Sequence, residues 1–470
     1  ARMSSIKLPK RHGFGQRHYV NPRPTPFLPD CSAGKFWRSP VTVNAIREDV
    51  LKFGNATVRP NDADLDYAIF LAFRAFKLPI PVPMLHLCDV FRQHDLEIWK
   101  SSPGLPWKDY GFRTKNEVRR DPDAVQSIRR FYHFMKIGRR VNFPDACAFV
   151  RSHVVEYGEQ KIRAVWGYPA TITFGEAMFA VPLIRAYQVH RTPFAYGYET
   201  ATGGTARLVR ELSSKHKTAL DFKGFDKTVP AWLIRVCCDI LATNIDFGKY
   251  QDYGVANADR LIYVYSRLVN YLINTPIRLC TGERYLKRSG IASGSYFTQL
   301  VGGIANYILI TWCCIKQHQS PPEYIRVLGD DSIIGTERPF SLDAAMLLME
   351  TVGMEVNVQK SVTSQFTSNL TFLGYNIGHG VPTKPYDRWL VALLFPERPD
   401  RDWDDVASRA LGLLYACAGC DDRFDSLCRT IVRLRPYNLR LSTGISRMLR
   451  MIGVYDLDPD PPPKMVLWKR

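Results

Sequence analysis

Two short runs of apolar and β-branched residues, Tyr324 to Leu328 and Ser332 to Ile334, are separated only by Gly329-Asp330-Asp331. That spacing predicts a tight β-hairpin whose turn carries two adjacent carboxylates. Its surroundings constrain the fold further. Thr218 to Phe222 reads as a short apolar strand that delivers another carboxylate, Asp221. Gly294 to Lys316 reads as a long apolar helix. After the hairpin, Ser341 is placed to cap a helix through Thr351, closed by Gly353, with strands near Glu355 to Val358 and Leu370 to Tyr375. Strand, helix, hairpin, helix, strand predicts an α+β class: an antiparallel sheet backed by helices.

The rest of the chain surrounds this centre. At 470 residues with 46% hydrophobic and 12% aromatic side chains, the chain can bury a large core and is expected to form one body of several subdomains. Residues 1–40, with Lys7, Lys10, Arg11, Arg17 and Arg23 among prolines, read as an extended arm wrapping that body. Residues 41–205 alternate short helical patterns with Pro and Gly breaks. Residues 386–453 look mainly helical, with apolar periodicity near 406–417 and 424–434, and 456–470 reads as a Pro-rich tail.

A net charge of +18 with a pI near 9.4 makes a polyanion the natural partner. Arg119/Arg120, Arg129/Arg130 and Arg139/Arg140 lie among Phe131, Tyr132, Phe134 and Phe143, a mixture suited to phosphate contact and base stacking, or to an ordinary solvated helix face. Eleven scattered cysteines, two pairs of them inside apolar runs, read as free thiols of a reducing compartment. Cys417 and Cys420 have CxxC spacing near Cys428, but no second pair completes a zinc set, and packing is the expected role. Residues 1–20 hold no apolar export leader, and the longest apolar stretch, about Gly302 to Ile315, falls short of the ~20 residues a spanning helix needs. The expectation is a soluble protein without a membrane partner.

Phosphoryl transfer from a nucleoside triphosphate asks for neutralised phosphates and an activated 3′ hydroxyl, which two divalent ions ~4 Å apart supply together. Magnesium prefers hard oxygen ligands. Asp221 at a strand end and Asp330 and Asp331 on a neighbouring hairpin would provide them, although Asp is also a common turn residue. Asp226, five residues after Asp221 and beyond the turn-permitting Gly224, could accept a hydrogen bond from a ribose 2′-OH. Ser293-Gly294-Ser295 precedes the long helix, with Thr298 and Asn306 beyond. That loop could follow a backbone phosphate, or Ser293 could simply cap the helix. Lys161 and Arg163 alternate with apolar residues, so one strand face could clamp a triphosphate or be a solvated edge. Lys360 could protonate a departing pyrophosphate, or be a surface lysine.

In this order, the pieces resemble the motifs of viral RNA-dependent RNA polymerases, over about residues 100 to 375. Asp221-x4-Asp226 matches the first palm motif, Ser293-Gly294 with Thr298 the second, Gly329-Asp330-Asp331 the third, Lys360 the fourth and Phe372-Leu-Gly-Tyr375 the fifth. Lys161 and Arg163 match the fingertip motif. Ser102-Pro-Gly-Leu-Pro-Trp107, with Ser102, Pro103 and Gly104, looks like the loop that admits the template, and Gly294 would join these three at the RNA. The wording Ser-Pro-Gly-Leu-Pro-Trp, Val-Trp-Gly-Tyr-Pro and Ser-Gly-Ser-Tyr-Phe-Thr-Gln-Leu is most similar to the partitivirus-like group of double-stranded RNA viruses.

The resemblance implies a right hand: fingers and fingertips over 41–205, palm over 206–240 and 286–385, a fingers insertion over 241–285 and a helical thumb over 386–455. It implies two Mg²⁺ ions, replaceable by Mn²⁺, and an RNA template and product with rNTPs. It also implies a capsid protein as companion, a monomeric enzyme, and work inside the virion in the host cytoplasm. The resemblance also puts Ser293, Thr298 and Asn306 at the nucleotide beside Asp226, Lys161 and Arg163, with one departure: where many relatives carry a sugar-sensing Asn four residues after the Thr, this chain has Gly302, and the next Asn is Asn306. A reverse transcriptase would share the carboxylates but usually places an aromatic residue where Asp226 stands. A non-catalytic RNA-binding protein on a decayed polymerase fold would be expected to have lost some of these acids.

Overall fold

The structure, a computed structural model, describes residues 1–3, 25–28, 36–451 and 453–455. Most of the expected arm and the whole tail lie outside the described residues. Of the arm, Met3 donates to the Arg284 carbonyl at 2.8 Å and Thr25 to the Leu394 carbonyl at 2.8 Å.

The centre is a four-stranded antiparallel sheet in the order Tyr324–Leu328, Asp331–Thr336, His216–Ala219, Val362–Ser364. Leu328 pairs with Asp331 to close the hairpin, and Ile334 pairs with Thr218, which also pairs with Thr363 on its other side. Alternation along the strands sorts side chains to two faces. Ile325, Val327 and Ile334 enter the large core, whereas Tyr324, Leu328 and Ile333 pack with Leu208, Leu212, Leu370 and Phe372 on the opposite face. The strand Val362–Ser364 was not foreseen, because three residues with one apolar side chain leave almost no periodicity.

Behind the sheet runs the helix Thr298–His318, buried from Leu300 to Ile315. It starts four residues later than expected. Ser293 to Phe297 form a turn instead, in which the Ser295 hydroxyl accepts from the Phe297 amide at 3.1 Å, and the helix has no side-chain cap. At 21 residues this helix is apolar and long enough to cross a membrane, contrary to the shorter stretch expected, but 89% of its most apolar 18-residue window is buried within the fold. The helix Leu342–Glu350 is capped by Ser341 as expected, the hydroxyl accepting from the Ala344 amide.

A second sheet takes the order Arg284–Leu286, Pro276–Arg278, Ala146–Ser152, Ile162–Gly167, and Val82–Met84 pairs with Ile245–Tyr250. The segment around 241–285 therefore returns to complete sheets begun before residue 205. Beneath them the helix Ala170–Val189 is buried without a break from Ala170 to Leu183 and carries one acid, Glu176, within that stretch. The helices Tyr386–Leu394, Trp403–Cys417, Asp422–Arg433 and Thr443–Met451 form a C-terminal group with its own core, into which Cys417 and Cys428 pack. Each fully buried Leu or Phe there contributes roughly 1.5–3 kcal/mol.

Candidate active site

Asp221 follows the strand His216–Ala219 one residue on, after Leu220. Its amide donates to the Ser361 hydroxyl at 2.8 Å and its carbonyl accepts from the Asn357 amide at 2.8 Å. The backbone is thus fixed from both sides, and the carboxylate is reached by an Asn357 hydrogen bond and by the charges of Lys360, Asp330 and Lys161. Neither Ser361 nor Asn357 carried a sequence signal, since polar residues after a short strand are ordinary. Gly224 then turns the chain at φ +58° into the short helix Phe225–Thr228 that carries Asp226.

Opposite stands the hairpin turn, with Gly329 at φ +58° and Asp330 and Asp331 exposed. The central helix supports this turn from behind. A Cβ at Gly302 would lie 3.4 Å from the Gly329 Cα, so helix and turn meet backbone to backbone. Asn306, fully buried, donates to the Gly329 carbonyl at 3.2 Å and to the Asp331 carbonyl at 3.3 Å. This corrects the expected role of Asn306 in the nucleotide pocket. Eight residues beyond Thr298 is about 12 Å along a helix, deep enough that the buried NH2 group spends its hydrogens on the turn that bears the acids, while Oδ1 is left without a partner among the described residues.

The acids feel one another. Enclosure, then the charge of Asp330, pushes the Asp226 carboxyl up to about 6. Enclosure, then Asp330 and Asp221, pushes Asp331 up to about 7, although the residue keeps an exposed surface. Asp221 is raised by enclosure and Asp330, against the opposing pull of Lys360 and Lys161. Lys161 is lowered by burial and then by Arg163 and Lys360. These mutual influences place Lys161, Arg163 and Lys360 around the same cleft as Asp221, Asp226 and Asp330.

Strand alternation on Ile162–Gly167 leaves Arg163 exposed between buried Ile162 and Ala164. Among the described residues no three His, Cys, Asp or Glu side chains already sit tightly enough to grip an ion. The donor set is nonetheless all hard oxygen, and the enclosure and crowded negative charge that raise these carboxyls are what a divalent cation offsets.

The Ser293 hydroxyl accepts from the Trp166 amide at 3.0 Å, so it does not cap the helix. The Thr298 hydroxyl donates back to the Ala292 carbonyl at 2.5 Å. Gly294 is pressed against the end of the basic strand: an added Cβ would be 1.9 Å from the Trp166 carbonyl oxygen. The loop at 102–104 rests on the next residues of the same segment. The Ala170 amide donates to the Pro103 carbonyl at 2.7 Å, and a Cβ at Gly104, φ +63°, would meet the Tyr168 carbonyl at 2.7 Å. Pro103 and Gly104 are buried, which corrects their expected place at the RNA; Ser102 keeps a partial surface.

Two further expectations change. Arg119 stacks at 3.9 Å on the Trp99 ring and donates to the Phe91 and Gln93 carbonyls, and Tyr132 is buried, donating to the Thr171 carbonyl. Both are scaffold. Arg129, Arg130, Arg139 and Arg140 remain exposed.

The family model described as viral RNA-dependent RNA polymerase matches residues 99–421. The RNA-directed RNA polymerase of White clover cryptic virus 1 is 26% identical over 332 residues, 62% of this chain and 54% of that protein. That of Atkinsonella hypoxylon virus is 23% identical over 60% of this chain and 49% of its own length. The chain thus spans about half the length of these two relatives. The polymerase of Cryptosporidium parvum virus 1 is 25% identical over 91% of this chain and 83% of its own. Among solved structures, the RNA-dependent RNA polymerase of a human picobirnavirus superposes with a TM-score of 0.68 at 16% identity, covering 91% of this chain and 86% of that one. The fold is the right-hand architecture, and the similarities agree with a partitivirus-like grouping.

Proposed function

This chain belongs to the viral RNA-dependent RNA polymerase family, and from that premise we propose that it transfers ribonucleoside monophosphates from rNTPs to an RNA 3′ hydroxyl under the direction of an RNA template. Its work in this reading is the transcription and replication of a viral double-stranded RNA genome. The observation that carries the reading is that Asp221 feels Lys161 and Lys360 from one side and Asp330 from the other, while Asp331 feels both Asp330 and Asp221.

Asp221, Asp330 and Asp331 would hold the two Mg²⁺ ions of the family. When bound, such ions supply charge neutralisation at the phosphates and a more acidic 3′ hydroxyl. The chain's own residues do the rest. Lys161 and Arg163 receive the triphosphate as cations of one strand face. Asp226 accepts from the ribose 2′-OH, the group that separates rNTPs from dNTPs. The 3′ hydroxyl gives its proton to solvent as its oxygen bonds to the α-phosphorus, the bond to pyrophosphate breaks, and Lys360 gives the leaving group a proton. Asn306 acts from behind, holding the turn on which Asp330 and Asp331 sit.

Ser102 and Gly294 belong to the path of the template, Ser293 and Thr298 to the nucleotide, and the exposed arginines 129, 130, 139 and 140 extend the RNA path electrostatically. A capsid protein as companion, a monomeric enzyme, and a place inside the virion in the host cytoplasm complete the proposal. The test is primer extension on one RNA template with rNTPs or dNTPs. The reading expects strong preference for rNTPs, and preference for dNTPs would overturn it.

A pH dependence follows from the carboxyls. With Asp226 raised to about 6 and Asp331 to about 7, the metal-free protein holds protons that an incoming cation must displace. Apparent Mn²⁺ affinity therefore rises with pH through this window and levels off above it, by up to roughly tenfold per unit for each proton displaced. The sign for folding is opposite: raised from 3.8, these carboxyls lose stability for the metal-free fold as pH climbs from that value up to about 6 for Asp226 and about 7 for Asp331, and no further above. Titration calorimetry across that range measures the first, and an affinity independent of pH contradicts it.

A further inference from the structure

Glu176 is a lone carboxylic acid in the middle of the buried helix Ala170–Val189, itself fully buried, with apolar Ala177, Met178 and Phe179 following it. Burying a carboxyl away from a direct cation costs several kcal/mol unless hydrogen bonds compensate. Packing alone would be better served by an apolar side chain. Its partners show what the acid does: the Ser295 hydroxyl donates to Oε2 at 2.5 Å and the Tyr296 amide to Oε1 at 3.2 Å. Both belong to the loop that begins with Ser293 and Gly294 and ends at Thr298. The Phe297 amide then donates to the same Ser295 hydroxyl.

On the far side of this node stands Lys115, also buried, whose ammonium donates to the Ser101 hydroxyl at 3.0 Å and the Ser102 carbonyl at 2.6 Å. Its charge acts on Glu176 through the interior. The loop at 101–104 and the loop at 293–297 are thus anchored from within the protein to two coupled buried groups. Both also rest on one short stretch, Trp166 to Ala170.

We propose that Glu176 is a positioning residue for RNA synthesis: from the interior it latches Ser295 and Tyr296, and so fixes where Ser293 and Thr298 stand in the cleft. The inference rests on the polymerase reading of that cleft. The latch is geometric, made by two hydrogen bonds to one planar group. Desolvation holds the acid at about 8, so near neutral pH it is mostly uncharged and an amide can take its place.

Three variants test this: Glu176→Gln, whose oxygen can still accept from the Tyr296 amide and whose NH2 can donate to the Ser295 oxygen with that bond reversed, Glu176→Leu, which removes both bonds, and Ser295→Ala, which removes the hydroxyl without disturbing the helix. Hydrogen exchange of the 293–298 segment reads the latch directly. Exchange is expected to accelerate about tenfold or more in Glu176→Leu and Ser295→Ala at unchanged global melting temperature, and to stay near wild type in Glu176→Gln. In single-turnover nucleotide addition, Glu176→Leu should lose roughly tenfold in rate with unchanged RNA affinity, and Glu176→Gln should retain most of it. The double variant Glu176→Leu with Ser295→Ala should be little worse than Glu176→Leu alone, since both remove one interaction.

Unchanged exchange in both Glu176→Leu and Ser295→Ala would overturn the proposal, and so would a Glu176→Gln variant as damaged as Glu176→Leu. Should Glu176→Leu fail to fold, Ser295→Ala carries the exchange test by itself. A wild-type protein that makes no RNA would refute the polymerase reading, and the exchange measurement would still decide the latch.

Discussion

Replacing Asp330 by alanine is expected to abolish nucleotide incorporation, by roughly 10³-fold or more, and to leave RNA affinity within about twofold of wild type. Asp330 stands on the exposed tip of the hairpin turn, and its charge is felt by Asp221, Asp226 and Asp331 alike. It is the acid common to the whole cluster. A bound divalent ion contributes several kcal/mol of charge stabilisation, and at about 1.4 kcal/mol per factor of ten the loss of its grip accounts for that magnitude. RNA affinity comes from phosphate contacts made by cations, which the substitution leaves in place. Removing one negative charge also lets the Asp331 and Asp226 carboxyls relax toward ordinary values. Single-turnover incorporation and filter binding on the same preparation separate the two effects; retained incorporation would remove the metal assignment.

The second large effect belongs to a residue without chemistry. Gly294→Ala puts a methyl carbon 1.9 Å from the Trp166 carbonyl oxygen, a backbone atom that cannot swing away. Either the loop lifts off the strand Ile162–Gly167 or the strand moves, and overpacking of this kind costs about 1–3 kcal/mol or more. Lifting the loop breaks the Trp166 amide bond to Ser293, and moving the strand displaces Lys161 and Arg163. Both routes misplace groups that face the cleft, and a misplacement near 1 Å can cost about 10²-fold in rate. Nucleotide addition should therefore fall by about 10²-fold, with the melting temperature lowered by several degrees. Wild-type rates in Gly294→Ala would mean that the loop does not need its contact with the strand.

The sequence made some of this legible and hid the rest for physical reasons. The hairpin around Gly329 was readable because a turn of fixed length sat between two strands of matching pattern, and the Ser341 cap because capping is local. Lys161 and Arg163 were readable because period two assigns them one face. The start of the helix at Thr298 was not, since Ser293 to Phe297 are held by Trp166 and Glu176, partners more than a hundred residues away. Asn306 was misread for a related reason. Its position along the helix was known, but the turn it holds became its neighbour only through the fold.

Pro103 and Gly104 looked like loop surface and proved to be buried scaffold, because tertiary contact with Tyr168 and Ala170 decides which side of a loop is outside. Glu176 left a visible trace, a single acid in a twenty-residue apolar helix. A lone buried carboxyl of this kind asks for a partner, and the sequence could not say where the partner was.

Template direction is the heart of the proposal, and one incubation tests it: single-stranded RNA of defined sequence with Mg²⁺ and rNTPs, one rNTP withheld in turn. The account predicts complementary RNA that stops each time at the first template base calling for the missing nucleotide, and full-length product when all four are supplied. Products whose length ignores the withheld nucleotide, or no RNA product under any combination, would contradict it.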